Sequence, residues 1–209
     1  ECPPDVDVVG YRGLRLRRRT YPVTTEALER AMREIGGEIT GAPSAFHDVV
    51  RKILEAESER LTRRDLESQI VEALLEAHPF DVPPSLAHER AGELFRRLEA
   101  QYLAEGGAPD QWTKRLAEYE PTVRLEAERG VRLAYLLAAI AEAEGITVSN
   151  EEATVAVRKA VYPLPSEHRD RALTRLESKK DDVRGMLLED KVFDFLIRCA
   201  AVTPAEEER

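Results

Sequence analysis

The fold is decided by residues 45–77, which read AFHDVVRKILEAESERLTRRDLESQIVEALLEA. This stretch contains no proline and no glycine, and its apolar residues recur at intervals of three and four, as on one face of an α-helix. At a rise of 1.5 Å per residue, the helix would be about 50 Å long. Because that length is excessive for a compact domain of this size, the stretch predicts an elongated, mainly α-helical body.

Proline and glycine divide the rest of the chain into further segments. Before the long helix, residues 5–21 predict two short extended segments around a glycine-containing turn, and Thr24 or Thr25 then begins a helix that closes at Gly36. After the long helix, the prolines of HPFDVPP force a break. Six further helices are predicted at residues 85–104, 111–118, 121–144, 150–161, 166–176 and 181–200.

Several of these helices begin at residues that suit a helix N-terminus. Ser85 and Ser166 are predicted N-caps, because a serine hydroxyl can accept a hydrogen bond from a backbone N–H of the first turn. Ser149 and Glu152 have the spacing of a capping box. Pro121 suits the first turn of its helix, where the missing N–H needs no partner.

The chain is acidic, with 31 Lys and Arg against 40 Asp and Glu and a formal net charge of −9. A nucleic-acid binder needs a basic surface that neutralises phosphates, so the composition argues against a nucleic-acid partner. A local exception is the arginine run of Arg15, Arg17, Arg18 and Arg19. We interpret this run as a solvated strand edge, where charge protects against aggregation.

Apolar runs and cysteines bear on the compartment of the protein. No apolar run approaches the roughly 18 residues that a membrane span needs, so no membrane partner is expected. Cys2 and Cys199 lie at opposite ends of the chain, and neither has neighbours at metal-ligand spacing. Reduced thiols suit a cytoplasmic protein, which is the predicted location, and the roles of the two cysteines stay open.

The sequence carries no signature of an active site. The four histidines, His47, His78, His88 and His168, do not pair with one another or with a cysteine at ligand spacing. A zinc-protease pattern starting at His88 fails because Gly92 stands where the second histidine would be. Phosphate-binding glycine loops and the nucleophile elbow are also absent from the sequence. We therefore predict a non-enzymatic protein without a metal or another cofactor.

Four stretches, in order along the chain, resemble motifs of a known family. The first stretch is similar to a linker and comprises residues 6–32, VDVVGYRGLRLRRRTYPVTTEALERAM. The second is similar to a long helix with a proline-rich end and comprises residues 69–90, QIVEALLEAHPFDVPPSLAHER. The third stretch is similar to a helix that ends in a glycine turn and comprises residues 131–152, VRLAYLLAAIAEAEGITVSNEE. The fourth is similar to a closing helix and comprises residues 184–203, RGMLLEDKVFDFLIRCAAVT. Together the four are similar to the linker and the C-terminal chaperone domain of bacterial trigger factor.

The resemblance implies a domain organisation. Residues 1–36 would be a linker segment packing on the body, residues 37–43 a short connection, and residues 44–209 a helical chaperone domain with two protruding helical-hairpin arms. The family also has a ribosome-binding domain and, between the linker helix and the long helix, an isomerase domain of about 100 residues, which cannot fit in residues 37–43. The resemblance therefore implies no isomerase activity, and contact with a ribosome only through a domain absent from this chain.

The function implied by the resemblance is that of an ATP-independent chaperone module. It would bind unfolded or nascent polypeptide through exposed apolar patches in a helical cradle. Apolar side chains cluster at the glycine turn near residue 106 and at the proline turn near residue 163, where they either pack helices together or stay exposed. The predicted contact residues come from these clusters: Leu94, Leu98, Tyr102, Tyr162, Leu164, Leu173 and Leu176. Two alternatives stay open, a periplasmic-type helical chaperone and a helical interaction scaffold, including a homodimer.

Overall fold

The computed structural model of the chain describes residues 8–36 and 44–204. Seven α-helices, one 3-10 helix and two short strands form within these residues. The elements are β1 (Arg15–Arg18), α1 (Thr25–Gly36), α2 (Ser44–Ala77), α3 (Pro84–Ala104), the 3-10 helix (Pro109–Gln111), α4 (Trp112–Ala143), α5 (Asn150–Val161), α6 (Ser166–Glu177), α7 (Lys180–Cys199) and β2 (Ala201–Pro204). The predicted mainly α-helical fold is confirmed.

Helix α2 coincides with the long proline-free stretch and has 34 residues. Thr62, Leu66 and Ile70 are buried at intervals of four, which places them on one face of the helix. Val49 and Ile53, which belong to the same apolar pattern near the start of α2, are more than half exposed. The pattern therefore predicted the helix correctly, although only part of its apolar face is covered.

The helix break predicted before Pro121 is wrong. A single helix, α4, runs from Trp112 to Ala143 with Pro121 inside it. Proline has no N–H to donate to the carbonyl four residues earlier, which here belongs to Ala117. Because Ala117 is exposed, water can bind its carbonyl in place of the missing N–H, and the helix continues.

Two helices begin at the predicted polar residues. The hydroxyl of Thr24 accepts a hydrogen bond from the backbone N–H of Ala27 at 3.2 Å, which caps α1. At α5, the Ser149 hydroxyl accepts from the Glu152 N–H at 3.1 Å, and the Glu152 carboxylate accepts from the Ser149 N–H at 2.8 Å. The predicted capping box is therefore confirmed.

The serine caps predicted for α3 and α6 are wrong. Ser85 lies inside α3, whose N-cap is Pro83, and Ser166 is the first residue of α6, whose N-cap is Pro165. Neither N-cap makes a side-chain hydrogen bond. Both N-cap residues are prolines, which have no polar side-chain atom, so these two helices begin without a capping side chain.

By compactness the chain divides into two units. One contains residues 74–195 with the segment up to Tyr11, and the other contains residues 12–73 with the segment from Leu196 onward. The boundaries predicted at residues 36 and 44 concern functional domains and stay a prediction.

In the unit that contains residues 12–73, β1 pairs with β2 in parallel. Arg15 lies beside Ala201 and Arg18 beside Pro204, and Leu16 of β1 is only 1% exposed. An extended segment was predicted here, but its partner strand was not, because the paired residues come from opposite ends of the chain. The earlier extended segment predicted within residues 5–21 lies partly outside the described residues.

The second edge of β1 is covered by side chains of α2. The Gln69 amide oxygen accepts a hydrogen bond from the Arg17 N–H at 2.8 Å, and its amide nitrogen donates to the Arg17 carbonyl at 2.7 Å. One side chain thus takes the place of a neighbouring strand. Thr62 donates to the Arg19 carbonyl at 3.1 Å along the same edge. The backbone of β1 is therefore bound on both sides.

The unit that contains residues 74–195 has two helical hairpins, α3 with α4 and α5 with α6. The segment before β1 joins this unit through the buried ring of His78. The Val9 N–H donates to Nε2 of His78 at 3.1 Å, while Nδ1 lies 2.9 Å from the carbonyl of Leu74. Nε2 also lies 3.0 Å from the Val9 carbonyl, so the ring links Val9 to Leu74.

Replacement of Gln69 by alanine would leave the N–H and the carbonyl of Arg17 to water. Because the site is exposed, we expect the free energy of unfolding to fall by only about 1 kcal/mol. Hydrogen exchange at the Arg17 amide should become faster, as measured by NMR or mass spectrometry. Gln101→Ala, which removes an exposed hydrogen bond to Glu105 on α3, is the control and should leave Arg17 unchanged. Slow exchange at Arg17 in the Gln69→Ala variant would contradict this role of the amide.

Candidate functional site

Helices α3 and α4 meet over small side chains. Ala91 of α3 forms a buried cluster with Val123 and Ala127 of α4. The distance between packed helices depends on the side chains at the contact, and small ones allow a close approach. Leu94 and Leu98 pack against this cluster and are half-buried. These two predicted contact residues therefore support the hairpin and still present part of their surface.

Tyr102 lies at the end of the same hairpin. Its ring packs on Trp112, with 5.6 Å between the ring centroids and 33° between the ring planes. The Gly107 N–H donates to the Tyr102 carbonyl at 2.9 Å, and a Cβ at Gly107 would lie 2.4 Å from the ring. A side chain at Gly107 would therefore displace the Tyr102 ring, which is half-buried between its neighbours.

The turn between α5 and α6 presents the most exposed of the predicted contact residues. Tyr162 is 78% exposed and Leu164 is 36% exposed. Arg169 lies over the Tyr162 ring at 5.6 Å from its centroid and donates to the Leu164 carbonyl at 2.7 Å. Leu173 and Leu176 on α6 are half-buried. One arginine thus contacts both Tyr162 and Leu164.

Long cationic side chains of α7 hold the start of α5. Lys180 donates to the Thr154 hydroxyl at 2.8 Å. Lys191 donates to the Thr147 carbonyl at 2.8 Å and to the Glu152 carboxylate at 2.6 Å. Glu152 therefore both caps α5 and binds α7.

The two roles of Glu152 predict a pH dependence. The hydrogen bond from Lys191, and next the backbone N–H of Ser149, lower the pKa of Glu152 below its usual value of 4.5. A lowered folded-state pKa means that the stabilisation is complete above the usual value and is lost as the pH falls through the lowered value. Glu152→Gln should therefore be less stable than the wild type at neutral pH, with the difference vanishing in acid.

Thermal unfolding measured at several pH values between neutral and about pH 2 gives this difference. At the acid end, the Glu152 carboxyl is protonated in both the folded and the unfolded protein. Glu151→Gln, at the exposed neighbouring position, makes the same change of charge and should give a smaller pH-dependent difference. A stability difference for Glu152→Gln that stays constant with pH would contradict the role of the charged carboxylate.

A groove between α3 and α4 was not predicted. It encloses about 380 Å³. Its walls repeat with helical spacing on both helices and consist of Leu86, Glu89, Arg90, Glu93, Val131, Ala134, Tyr135 and Ala138. The spacing of i, i+3, i+4 and i+7 was the signal that could have revealed it. Three charged residues on α3 and two alanines on α4 concealed that pattern.

An ion pair lies on one wall of this groove and an aromatic pair on the other. On the α3 wall, Arg90 donates to the Glu93 carboxylate at 2.9 Å, and within the described residues Glu89 forms no ion pair. On the α4 wall, Tyr135 meets Phe80 edge to face, with the ring centroids 6.4 Å apart. The groove thus combines an apolar floor with a charged rim.

The structure divides the seven predicted contact residues between the two hairpins. Leu94, Leu98 and Tyr102 lie on α3, and the other four lie on α6 and the turn before it. None of the seven lines the groove between α3 and α4. Their role as contact residues stays a prediction.

Within residues 8–36 and 44–204, no three His, Cys, Asp or Glu side chains are grouped so that they could hold a metal ion. No helix in these ranges combines the length and the apolar character needed to cross a membrane. Cys199 is a half-buried free thiol, and Cys2 lies outside the described residues.

Comparison with known proteins decides the family. A family model described as "Bacterial trigger factor protein (TF) C-terminus" matches residues 44–198. The chain belongs to this trigger factor family. It is 28% identical over 216 residues to the trigger factor of Novosphingobium aromaticivorans, a match that covers 99% of this chain and 41% of that protein. It is 30% identical to the trigger factor of Erythrobacter litoralis, over 78% of this chain and 31% of that protein.

A solved structure, described as "Structures of and interactions between domains of trigger factor from Themotoga maritim", is also similar. The match has a TM-score of 0.48 and 18% sequence identity, and it covers 68% of this chain and 86% of that one. The chain spans less than half the length of the two curated trigger factors named above.

The sequence predicted that this chain lacks the isomerase domain that the family has between the linker helix and the long helix. In this member of the family, α1 ends at Gly36 and α2 begins at Ser44. The intervening residues 37–43 cannot contain a domain of about 100 residues. An isomerase domain is therefore not inserted at this point of the chain.

Proposed function

We propose that this chain is an ATP-independent chaperone module that binds unfolded or nascent polypeptide through apolar surfaces on its helical hairpins. The observation that carries the proposal is Tyr162, which is 78% exposed beside the exposed Leu164. Apolar patches exposed on a protein surface commonly mark a binding site. Membership in the trigger factor family supports the same conclusion.

The turn between α5 and α6 is suited to weak, repeated contacts. Arg169 contacts the Tyr162 ring and the Leu164 carbonyl, so less conformational freedom is lost when a client binds there. Full burial of one large apolar side chain contributes about 1.5 to 3 kcal/mol. A single contact of this kind is weak, which allows a client to dissociate and fold.

Further surfaces would add to the affinity for one client. Leu94, Leu98 and Tyr102 on α3, and Leu173 and Leu176 on α6, are half-buried and supply the remaining proposed contacts. An unfolded chain that reaches several weak sites binds by avidity, without a new contact at any one of them. As the client folds and buries its own apolar residues, the contacts are lost, and no nucleotide is required.

The groove between α3 and α4 is a second candidate surface. Its apolar floor, which includes Leu86 and Tyr135, can receive an aliphatic or aromatic side chain. Its charged rim of Glu89, Arg90 and Glu93 keeps polar groups in water. Together with the net charge of −9, such a rim limits association between copies of the chain.

We expect Tyr162→Ser combined with Leu164→Ser to weaken the delay of aggregation of an unfolded client. Loss of two apolar contacts should raise the concentration needed for half-maximal protection by about tenfold, which corresponds to roughly 1.4 kcal/mol. Light scattering of a denatured client diluted into buffer measures the effect.

The control for this experiment is Leu125→Ser. Leu125 is 57% exposed on α4 and does not line the groove, so its replacement removes a similar apolar side chain away from the proposed surfaces. Equal protection by the wild type and the double variant would contradict the role of the turn. A wild-type chain that gives no protection would contradict the proposed function.

We expect Ala134→Trp to fill the groove between α3 and α4 and so to exclude client side chains from it. Ala134 is exposed on the groove wall, so the helix can carry the larger side chain without overpacking a buried position. NMR shifts that a client peptide induces in the Leu86 methyl groups should then decrease. Ala117→Trp, at an exposed position of α4 outside the groove, should leave those shifts intact. Unchanged shifts in Ala134→Trp would exclude the groove as a client site.

We further propose that the chain is not an enzyme and needs no cofactor. The short segment between α1 and α2 supports this for the isomerase activity. A cytoplasmic location and a homodimer remain proposals.

A further inference from the structure

We infer that the arginine face of β1, formed by Arg15 and Arg17, binds an acidic client segment in an extended conformation. The inference rests on the proposed function, because the occupant is part of a polypeptide client. It adds a charge-selective site to the apolar surfaces of the hairpins.

The side-chain alternation of the strand creates this face. Along β1, Leu16 is buried while Arg15 and Arg17 are exposed. Residues i and i+2 of a strand point to the same side, about 6.6 Å apart along the chain. An extended peptide with a carboxylate at every second position has the same period. The two guanidinium groups can therefore meet two carboxylates of one such segment in register.

The backbone of β1, which carries the two arginines, is held on both edges. β2 pairs with one edge of β1, and the Gln69 amide binds the N–H and carbonyl of Arg17 on the other. A side chain carried on a fixed backbone loses less freedom on binding than one on a free loop. The arginine face is therefore a prepared surface and not a solvated end of the chain.

The charges of this face are available for a ligand. Arg15 and Arg17 form no ion pair with the described residues, whereas Arg19, the next residue of the alternation, lies 4.0 Å from Asp65. Guanidinium groups bind carboxylates through two parallel hydrogen bonds, which favours arginine over lysine in such sites. The local positive charge is thus complementary to acidic segments.

A peptide fits this face better than a nucleic acid does. Nucleic-acid affinity grows with the number of phosphates that are neutralised, so a binder needs an extended basic surface. This face presents two arginines on a chain with a net charge of −9, which repels a long polyanion. A short segment with two or three carboxylates needs only the local face.

The test measures binding of a labelled peptide with glutamate at every second position, by fluorescence anisotropy at low salt. We expect Arg15→Gln combined with Arg17→Gln to weaken this binding by about fivefold, as for two exposed ion pairs. Slow hydrogen exchange of the backbone amide at position 17 of this variant confirms that β1 is intact. Arg96→Gln combined with Arg97→Gln removes the same charge from exposed positions of α3 and should have a much smaller effect.

Three results would overturn the inference. The first is equal binding by the wild type and the Arg15 and Arg17 variant, and the second is an equal loss in the Arg96 and Arg97 control. The third is tighter binding of a single-stranded oligonucleotide of the same charge, lost in the same variant. The proposed function is tested separately, because the Arg15 and Arg17 variant should still delay aggregation of an apolar client. If the wild type gave no delay, the proposed function would fail whatever the peptide result.

Discussion

The close contact of α3 and α4 over small side chains determines what this hairpin can expose. Each helix buries one stripe of its surface in this contact, and Ala91, Val123 and Ala127 form the buried part of it. Leu94 and Leu98 lie at its border and are half-covered. The groove beside the contact remains open for the same reason. Uncovered apolar surface is therefore a consequence of building this part of the unit from a pair of helices.

The second hairpin meets the same constraint in a different way. Ala153, Val157 and Val161 are buried at intervals of four, so the buried stripe of α5 extends to its last residue. Tyr162 follows directly and lies off that stripe, which explains its exposure. Polar contacts from α7, including the one from Lys191, hold α5 at its other end. The turn can therefore stay exposed without loosening the attachment of the helix.

Sequence reasoning succeeded where structure depends on neighbours along the chain. The bounds of α2 and the capping box of Ser149 and Glu152 follow from local composition, spacing and hydrogen bonding. The sequence did not reveal features that depend on distant residues or on solvent. The strand that pairs with Leu16 comes from the far end of the chain. Pro121 is tolerated inside α4 because the carbonyl that loses its partner can bind water. The turn between α5 and α6 was predicted because prolines mark it, whereas the exposure of its apolar residues was left open. The groove was missed because its walls combine charged residues and alanines.

The apolar surfaces and the arginine face would select different properties of a client. Folded proteins bury their large apolar side chains but keep carboxylates at the surface. Only the apolar surfaces, such as the turn at Tyr162, can therefore distinguish an unfolded client from a folded one. At physiological ionic strength, salt screens the charges of Arg15 and Arg17 beyond about 8 Å, so they act only on carboxylates nearby. Such carboxylates are present on folded and unfolded proteins alike. The arginine face can favour some unfolded clients over others. Discrimination between unfolded and folded proteins depends on the apolar surfaces.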